Sequence, residues 1–190
     1  KGLRATLRLD PDIILVGEIR DSETANVAVQ AALTGHLVLT SIHANDAVGA
    51  LVRIMDLGVE PFLVTSAVVA TVSQRLVRKV CPYCKAIRAA SPDEAMAYQH
   101  EMGEVRTDFT YGRGCNFCGQ TGYMGRVGVF EMLPITEQIR QLVAKGASAS
   151  EIRAQALREG MITMRRDGMM KARDGITTPS EVLRNVFAIT

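Results

Sequence analysis

The chain has 190 residues, 47% hydrophobic and 22% charged, which suffices for one sizeable core or two small ones and excludes a disordered segment. Its net charge of +2 is too small to argue for a nucleic-acid or membrane partner, although arginine outnumbers lysine and favours planar phosphate contacts. No amino-terminal stretch has the order of a signal peptide, and the longest apolar run, around Val59 to Val72, is interrupted by Glu60, Pro61, Thr65 and Ser66 and is too short for a bilayer, so a cytosolic chain is expected.

The chain opens at Lys1 without Met and with strongly patterned elements, so an upstream part is expected. Gly2 to Leu9 reads as a short helix that Asp10-Pro11-Asp12 stops, because proline lacks a donor and restricts the residue before it. Ile13 to Val16 reads as a buried parallel strand that delivers Glu18 at its carboxyl end. Asp21 or Ser22 can cap a helix from Glu23 to Leu33, which Gly35 terminates. Leu37 to Ile42 reads as the next strand, flanked by His36 and His43. Asn45 or Asp46 can cap Ala47 to Leu57, Pro61 suits a first helical turn, and Gln74 to Val80 reads as a last strand. This alternation makes residues 1–80 an α/β unit with a parallel sheet.

Residues 81–131 change character. Gly112, Gly114, Gly119, Gly122, Gly125 and Gly128 argue for turns and close backbone approach, and Ser91-Pro92-Asp93-Glu94 reads as a helix start leading to Met102. The four cysteines stand as Cys81-x2-Cys84 and Cys115-x2-Cys118, a spacing that places four thiolates around one tetrahedral ion. Zinc is the expectation, in a closed structural site, with two disulfides or a rubredoxin-like iron site as alternatives. A nucleic-acid-binding ribbon is the rival use: Lys79, Lys85, Arg113 and Arg126 lie near the cysteines, and Tyr83, Phe117 and Tyr123 could stack on bases. Residues 132–190 read as a helical subdomain with capped starts at Thr136, Ser148 and Thr178 and a core including Leu142, Ile152, Leu157, Met161, Met164, Met169, Met170 and Leu183.

A carboxylate at the mouth of a buried sheet, as expected for Glu18, can orient or deprotonate a water, or hold magnesium through its waters. His36 and His43 could each donate to a terminal phosphate, and Arg4, Arg8 and Arg20 could stabilise phosphate charge. Asp12, Asp21 and Glu23 read as capping and helix-dipole residues.

Read together, these segments resemble the carboxyl-terminal half of the hexameric GspE and PilB family, the ATPases of type II secretion and type IV pilus assembly. The resemblance runs through Leu3-Arg4-Ala5, Leu7-Arg8, Asp10-Pro11-Asp12, the variant Walker B segment Ile14-Leu15-Val16-Gly17-Glu18-Ile19-Arg20-Asp21 and Glu23-Thr24-Ala25. It continues through the histidine box from Ala32 to Ala47, Gln74-Arg75-Leu76-Val77-Arg78, the four-cysteine module and Gly122-Tyr123-x-Gly125-Arg126-Val127-Gly128. It implies part of a RecA-like P-loop NTPase core, a zinc lobe and a helical subdomain. Glu18 would work with magnesium and the hydrolytic water, His36 and His43 would sense the terminal phosphate, and Arg4, Arg8 and Arg20 would serve the nucleotide site or subunit interface. The implied parent is a homo-hexamer using ATP and Mg2+, cytoplasmic and peripheral at the inner membrane, coupled to a membrane platform protein, with no nucleic-acid partner.

One departure stands out: no G-x-x-x-x-G-K-[ST] loop occurs in the chain, and Gly112-Arg113-Gly114 lacks the lysine. The chain alone is therefore expected to bind nucleotide weakly and to lack ATPase activity. Two alternatives of other classes are a zinc-stabilised interaction module with a degenerate ATPase half and the nucleic-acid-binding zinc ribbon.

Overall fold

A computed structural model describes Leu9 and residues 11–186 of the chain. The helix expected over Gly2 to Leu9, with Arg4 and Arg8, lies outside the described residues apart from Leu9.

Strand β1 (Ile13–Val16) leads to helix α1 (Ser22–Leu33), whose N-cap Asp21 accepts from the Thr24 amide at 2.8 Å. Such a cap is worth about 1 kcal/mol, because it satisfies a donor that the helix cannot. Gly35, at φ 99, ends the helical segment and turns the chain into β2 (Leu37–Thr40). The two strands are parallel, with Ile13 opposite Leu37 and Val16 opposite Thr40. Asp46 caps α2 (Ala47–Asp56) through the Gly49 amide at 2.7 Å, and Pro61 begins α3 (Pro61–Ala67).

β3 (Ala70–Val80) is longer than the Gln74 to Val80 strand read from sequence. Then come β4 (Lys85–Ala89), α4 (Pro92–Met102), β5 (Asp108–Gly112) and β6 (Tyr123–Pro134). β4 pairs antiparallel with β5, and β3 pairs with β6. The glycines read as turns or close approaches include Gly125 and Gly128, which lie within β6. At Gly128 a Cβ would lie 2.6 Å from the ring of Phe130, so glycine here serves packing within a strand. The chain ends in α5 (Glu137–Ala144), α6 (Ala149–Arg158), α7 (Met164–Arg173) and α8 (Pro179–Asn185), capped by Thr136, Ser148, Thr163 and Thr178.

Sequence order suggests three successive regions, 1–80, 81–131 and 132–190. By contact the chain forms two compact units: one holds the described residues up to Ser73 with Met132–Met161, the other Gln74–Glu131 with the described residues from Ile162. In the first, Ala25, Val48, Leu51 and Val64 form one core with Leu133, Ile139, Val143 and Ile152. In the second, Val77, Tyr98, Phe109 and Val129 pack with Met164, Met169 and Val182. Of the expected helical core, Ile152, Met164 and Met169 are buried, whereas Leu157 is 45% exposed on the outer face of α6.

The first unit also corrects the reading of β1 as a buried strand, and β2 shares its exposure. Ile14 is buried and Val16 and Val38 pack against the core, but Ile13, Leu15, Leu37 and Leu39 are half or more exposed. Among the described residues this sheet has two strands, and only one of its faces is covered.

The second unit is pinned by two buried carboxylates. Glu94 closes the capping box of α4 with Ser91 and takes a two-pronged bond from Arg88 at 2.7 and 2.8 Å. Glu181 on α8 takes the same kind of bond from Arg78 on β3, at 2.7 and 2.9 Å, and a third from the Arg78 amide. Burial pushes both carboxyls up, but the guanidinium and amide donors outweigh it, so both are held below the ordinary value of 4.5. A depressed folded pKa gives stability that is fully present above 4.5 and is lost as pH falls through the lowered value. Thermal unfolding followed from pH 6 to pH 3 is expected to show the midpoint falling below about pH 4.5. Glu181→Gln is expected to flatten that fall and to cost about 2 kcal/mol at neutral pH, less than a fully buried pair because Arg78 is partly in water.

Candidate functional site

The parallel register of β1 and β2 gives the pair one common carboxyl end, and the loops that leave it carry Glu18, Arg20 and His43. Arg20 Nη2 bonds one Glu18 oxygen, Oε2, and His43 Nε2 lies 2.7 Å from the other. The contact from His43 is one of proximity and charge, since Oε1 of Glu18 accepts no hydrogen bond from the described residues and is buried. The bond from Arg20 first, then its charge and that of His43, hold Glu18 below the ordinary carboxylate range despite partial burial. Glu18 is therefore ionised at neutral pH and one-quarter exposed, bonded by Arg20 and faced by His43, which leaves Oε1 free to accept a proton or face a cation.

His36 sits elsewhere. It precedes Leu37 at the amino end of β2, whereas His43 follows the carboxyl end, so a four-residue strand separates them. Its Nδ1 lies 2.9 Å from the carbonyl of Ala31 near the end of α1 and 3.2 Å from Thr34 Oγ1. A carbonyl cannot donate, so Nδ1 carries the hydrogen and Nε2 is left as the other polar atom of the ring. The two histidines are thus not brought to one point. Asp21 caps α1, as its position suggested; Arg4 and Arg8 lie outside the described residues.

The second constellation is Cys81, Cys84, Cys115 and Cys118, whose four sulfurs all lie within 4.8 Å of one another. Sulfur separations of 3.7, 3.9 and 4.0 Å exclude disulfides, whose bond is about 2.05 Å. They match the edge of a tetrahedron with metal–sulfur bonds of about 2.3 Å, which is about 3.8 Å. The four thiols therefore fit a tetrahedral ion. The amides of Cys115 and Gly122 both donate to Cys118 Sγ at 3.3 Å, as donors that support a thiolate ligand do. Burial opposes ionisation at Cys118, yet these amides and the neighbouring thiols bring it down to about 6, whereas at Cys84 burial prevails and the thiol is pushed up to about 12. Only a cation could make all four thiolates at once.

What brings the knuckles together is a backbone crossing. A Cβ on Gly112 would lie 2.0 Å from the carbonyl oxygen of Gly122, so no larger residue fits there without movement. Gly122, at φ 75, hands that carbonyl to the Cys81 amide at 2.9 Å. Gly122 is a functional position that cysteine spacing did not single out; the signal was a glycine four residues after the last cysteine. Around the site, Tyr83 and Phe117 stack on each other at 4.5 Å and stay exposed. Lys85 bonds the Gly175 carbonyl, and Tyr123 lies under Arg78 with its hydroxyl 2.9 Å from Thr178.

The family description "Type II/IV secretion system protein" matches residues 1–184. The chain belongs to the type II/IV secretion system protein family. A type IV pilus assembly ATPase, PilB, of Thermus thermophilus is 49% identical over 184 residues, 96% of this chain and 21% of that protein. Type II secretion system protein E of Klebsiella pneumoniae is 48% identical over 184 residues, 97% of this chain and 36% of that protein. The chain thus spans about a fifth to a third of the length of these curated relatives. The fold is also that of the Yersinia pseudotuberculosis ATPase DotB, with a TM-score of 0.65 at 22% identity over 96% of this chain and 39% of that one. Among the described residues no helix is long and apolar enough to cross a membrane.

For this secretion-family chain the cysteine cluster makes a direct prediction. Titration with Co2+ is expected to saturate at one equivalent with the visible absorption of a tetrahedral thiolate site, and Cys118→Ser is expected to weaken it. Gly112→Ala is expected to destabilise the cysteine unit by about 3 kcal/mol, since it clashes with backbone, and to loosen the ion in the same titration.

Proposed function

We propose that this chain is the carboxyl-terminal part of a cytoplasmic ATPase that powers type II secretion or type IV pilus assembly. What carries the reading is the Glu18 carboxylate, held ionised between Arg20 and His43 at the carboxyl end of a parallel strand pair in a chain of this family. That end of an α/β sheet is where nucleotides bind.

Within that reading each residue has a task. Glu18 orients the attacking water or receives its proton. His43 keeps Glu18 aimed and turns its N–H toward a terminal phosphate when nucleotide arrives, and Arg20 balances the charge. His36, at the far end of β2, serves the site through the end of α1. Arg4 and Arg8 keep their expected place at the nucleotide site or subunit interface. ATP with Mg2+, when bound, supplies the phosphoryl group and neutralises its charge. The exposed face of Ile13, Leu15, Leu37 and Leu39 then packs beneath the remainder of a RecA-like core.

The four cysteines hold Zn2+ in a closed structural site. The working particle is a ring of six copies, peripheral at the inner membrane and docked on a platform protein, with no nucleic acid involved. Relatives named for secretion and for pilus assembly align at 48% and 49% identity, so both machines fit equally.

Purified alone, the chain is expected to show no ATP hydrolysis, because it has no glycine-rich loop ending in Lys-Ser or Lys-Thr to cradle the phosphates. In the full-length protein, Glu18→Gln is expected to lower kcat by roughly 10²- to 10⁴-fold. Magnesium-dependent turnover by the chain alone, or near-normal turnover by full-length Glu18→Gln, would overturn the assignment.

A further inference from the structure

Glu18 is flanked on both sides by contacts to a single residue of the neighbouring loop. Ser41 Oγ donates to the Gly17 carbonyl at 2.7 Å, and the Ser41 carbonyl accepts from the Ile19 amide at 3.0 Å. The strand pairing itself ends one step earlier, where Val16 faces Thr40, so the ladder does not reach Glu18. At Gly17 a Cβ would meet nothing within 4 Å, and the loop next meets the core at Ile19, on the far side of Glu18. Ser41 also lies two residues before His43, which touches the Glu18 carboxylate. One serine thus ties the backbone before and after the carboxylate to the loop that carries its imidazole partner.

We propose that Ser41 is a positioning residue for hydrolysis, registering the Glu18 loop against the His43 loop. The inference rests on the reading of Glu18 as the carboxylate of an ATPase. The hydroxyl hydrogen of Ser41 is committed to the Gly17 carbonyl, so the serine acts through Glu18 and does not donate to a phosphate. Its effect therefore falls on the rate of the chemical step and leaves nucleotide affinity alone. The bond is open to water, so its loss lets the loop drift without unfolding it.

The test uses the full-length enzyme with ATP as substrate. Ser41→Ala is expected to lower kcat roughly tenfold with KM for ATP within about twofold, the scale of one lost neutral hydrogen bond expressed as misplacement of a reacting group. Ser41→Thr, which keeps the hydroxyl, is expected to hold kcat within about threefold. Hydrogen exchange at the Ile19 amide is expected to quicken about tenfold in Ser41→Ala, independently of activity. Three results overturn the proposal: a raised KM with unchanged kcat, which marks a nucleotide contact; a Thr variant as slow as Ala; or unchanged exchange at Ile19. Near-normal kcat in Glu18→Gln would instead remove the ATPase reading beneath it, and the exchange measurement keeps the two failures apart.

Discussion

Two parallel strands have one carboxyl end between them, and their register decides which side chains meet there. With Ile13 opposite Leu37 and Val16 opposite Thr40, the loops leaving β1 and β2 start level, so that Glu18 meets Arg20 and His43 and its flanking backbone meets Ser41. A slip of one residue would turn alternate side chains to the opposite face and uncouple Glu18 from His43. The helices serve this register: α1 carries the chain from one strand to the other, with Asp21 capping its start and Gly35 releasing its end. The chemistry at Glu18 is a product of strand alignment more than of any single contact.

Much of this was legible in the sequence because it rests on local rules. Caps at Ser91, Thr136, Ser148 and Thr178 announce themselves by residue type and spacing, and of the paired candidates Asp21 or Ser22 and Asn45 or Asp46 the aspartates make the cap bonds. The cysteine spacing foretold a four-sulfur cluster. What stayed hidden is non-local. The separation of His36 from His43 follows from which end of a strand each occupies, and flanking one strand in sequence conceals that. The strands β5 and β6 were masked by glycines, whose role at Gly112 and Gly128 is space for a neighbour that sequence does not name. The division of the final helices between two cores follows from tertiary packing, since 149–158 and 164–173 have similar amphipathic patterns but different partners.

The cysteine unit solves a different problem from the strand pair. It combines the antiparallel pair β4 and β5, the paired strands β3 and β6, three helices and two knuckles, and its core holds only a few large side chains, Tyr98 and Phe109 foremost. Long-range tethers make up the difference. Glu181 and Thr177 reach back to Arg78, Tyr123 meets Thr178, and four thiols converge where two glycines let backbones touch. Each tether joins residues far apart in the chain, so each closes a long loop whose freedom would otherwise favour the unfolded state.

The uncovered apolar face of the β1–β2 sheet has a consequence for the behaviour of the chain in solution. Ile13, Leu15, Leu37 and Leu39 stand in water on two short strands, and among the described residues each strand has a free edge. A net charge of +2 gives little electrostatic repulsion between copies. Colloidal stability is therefore set by this patch: at high protein concentration the chain taken alone drifts toward self-association through its own sheet, and salt, by screening what repulsion there is, hastens it.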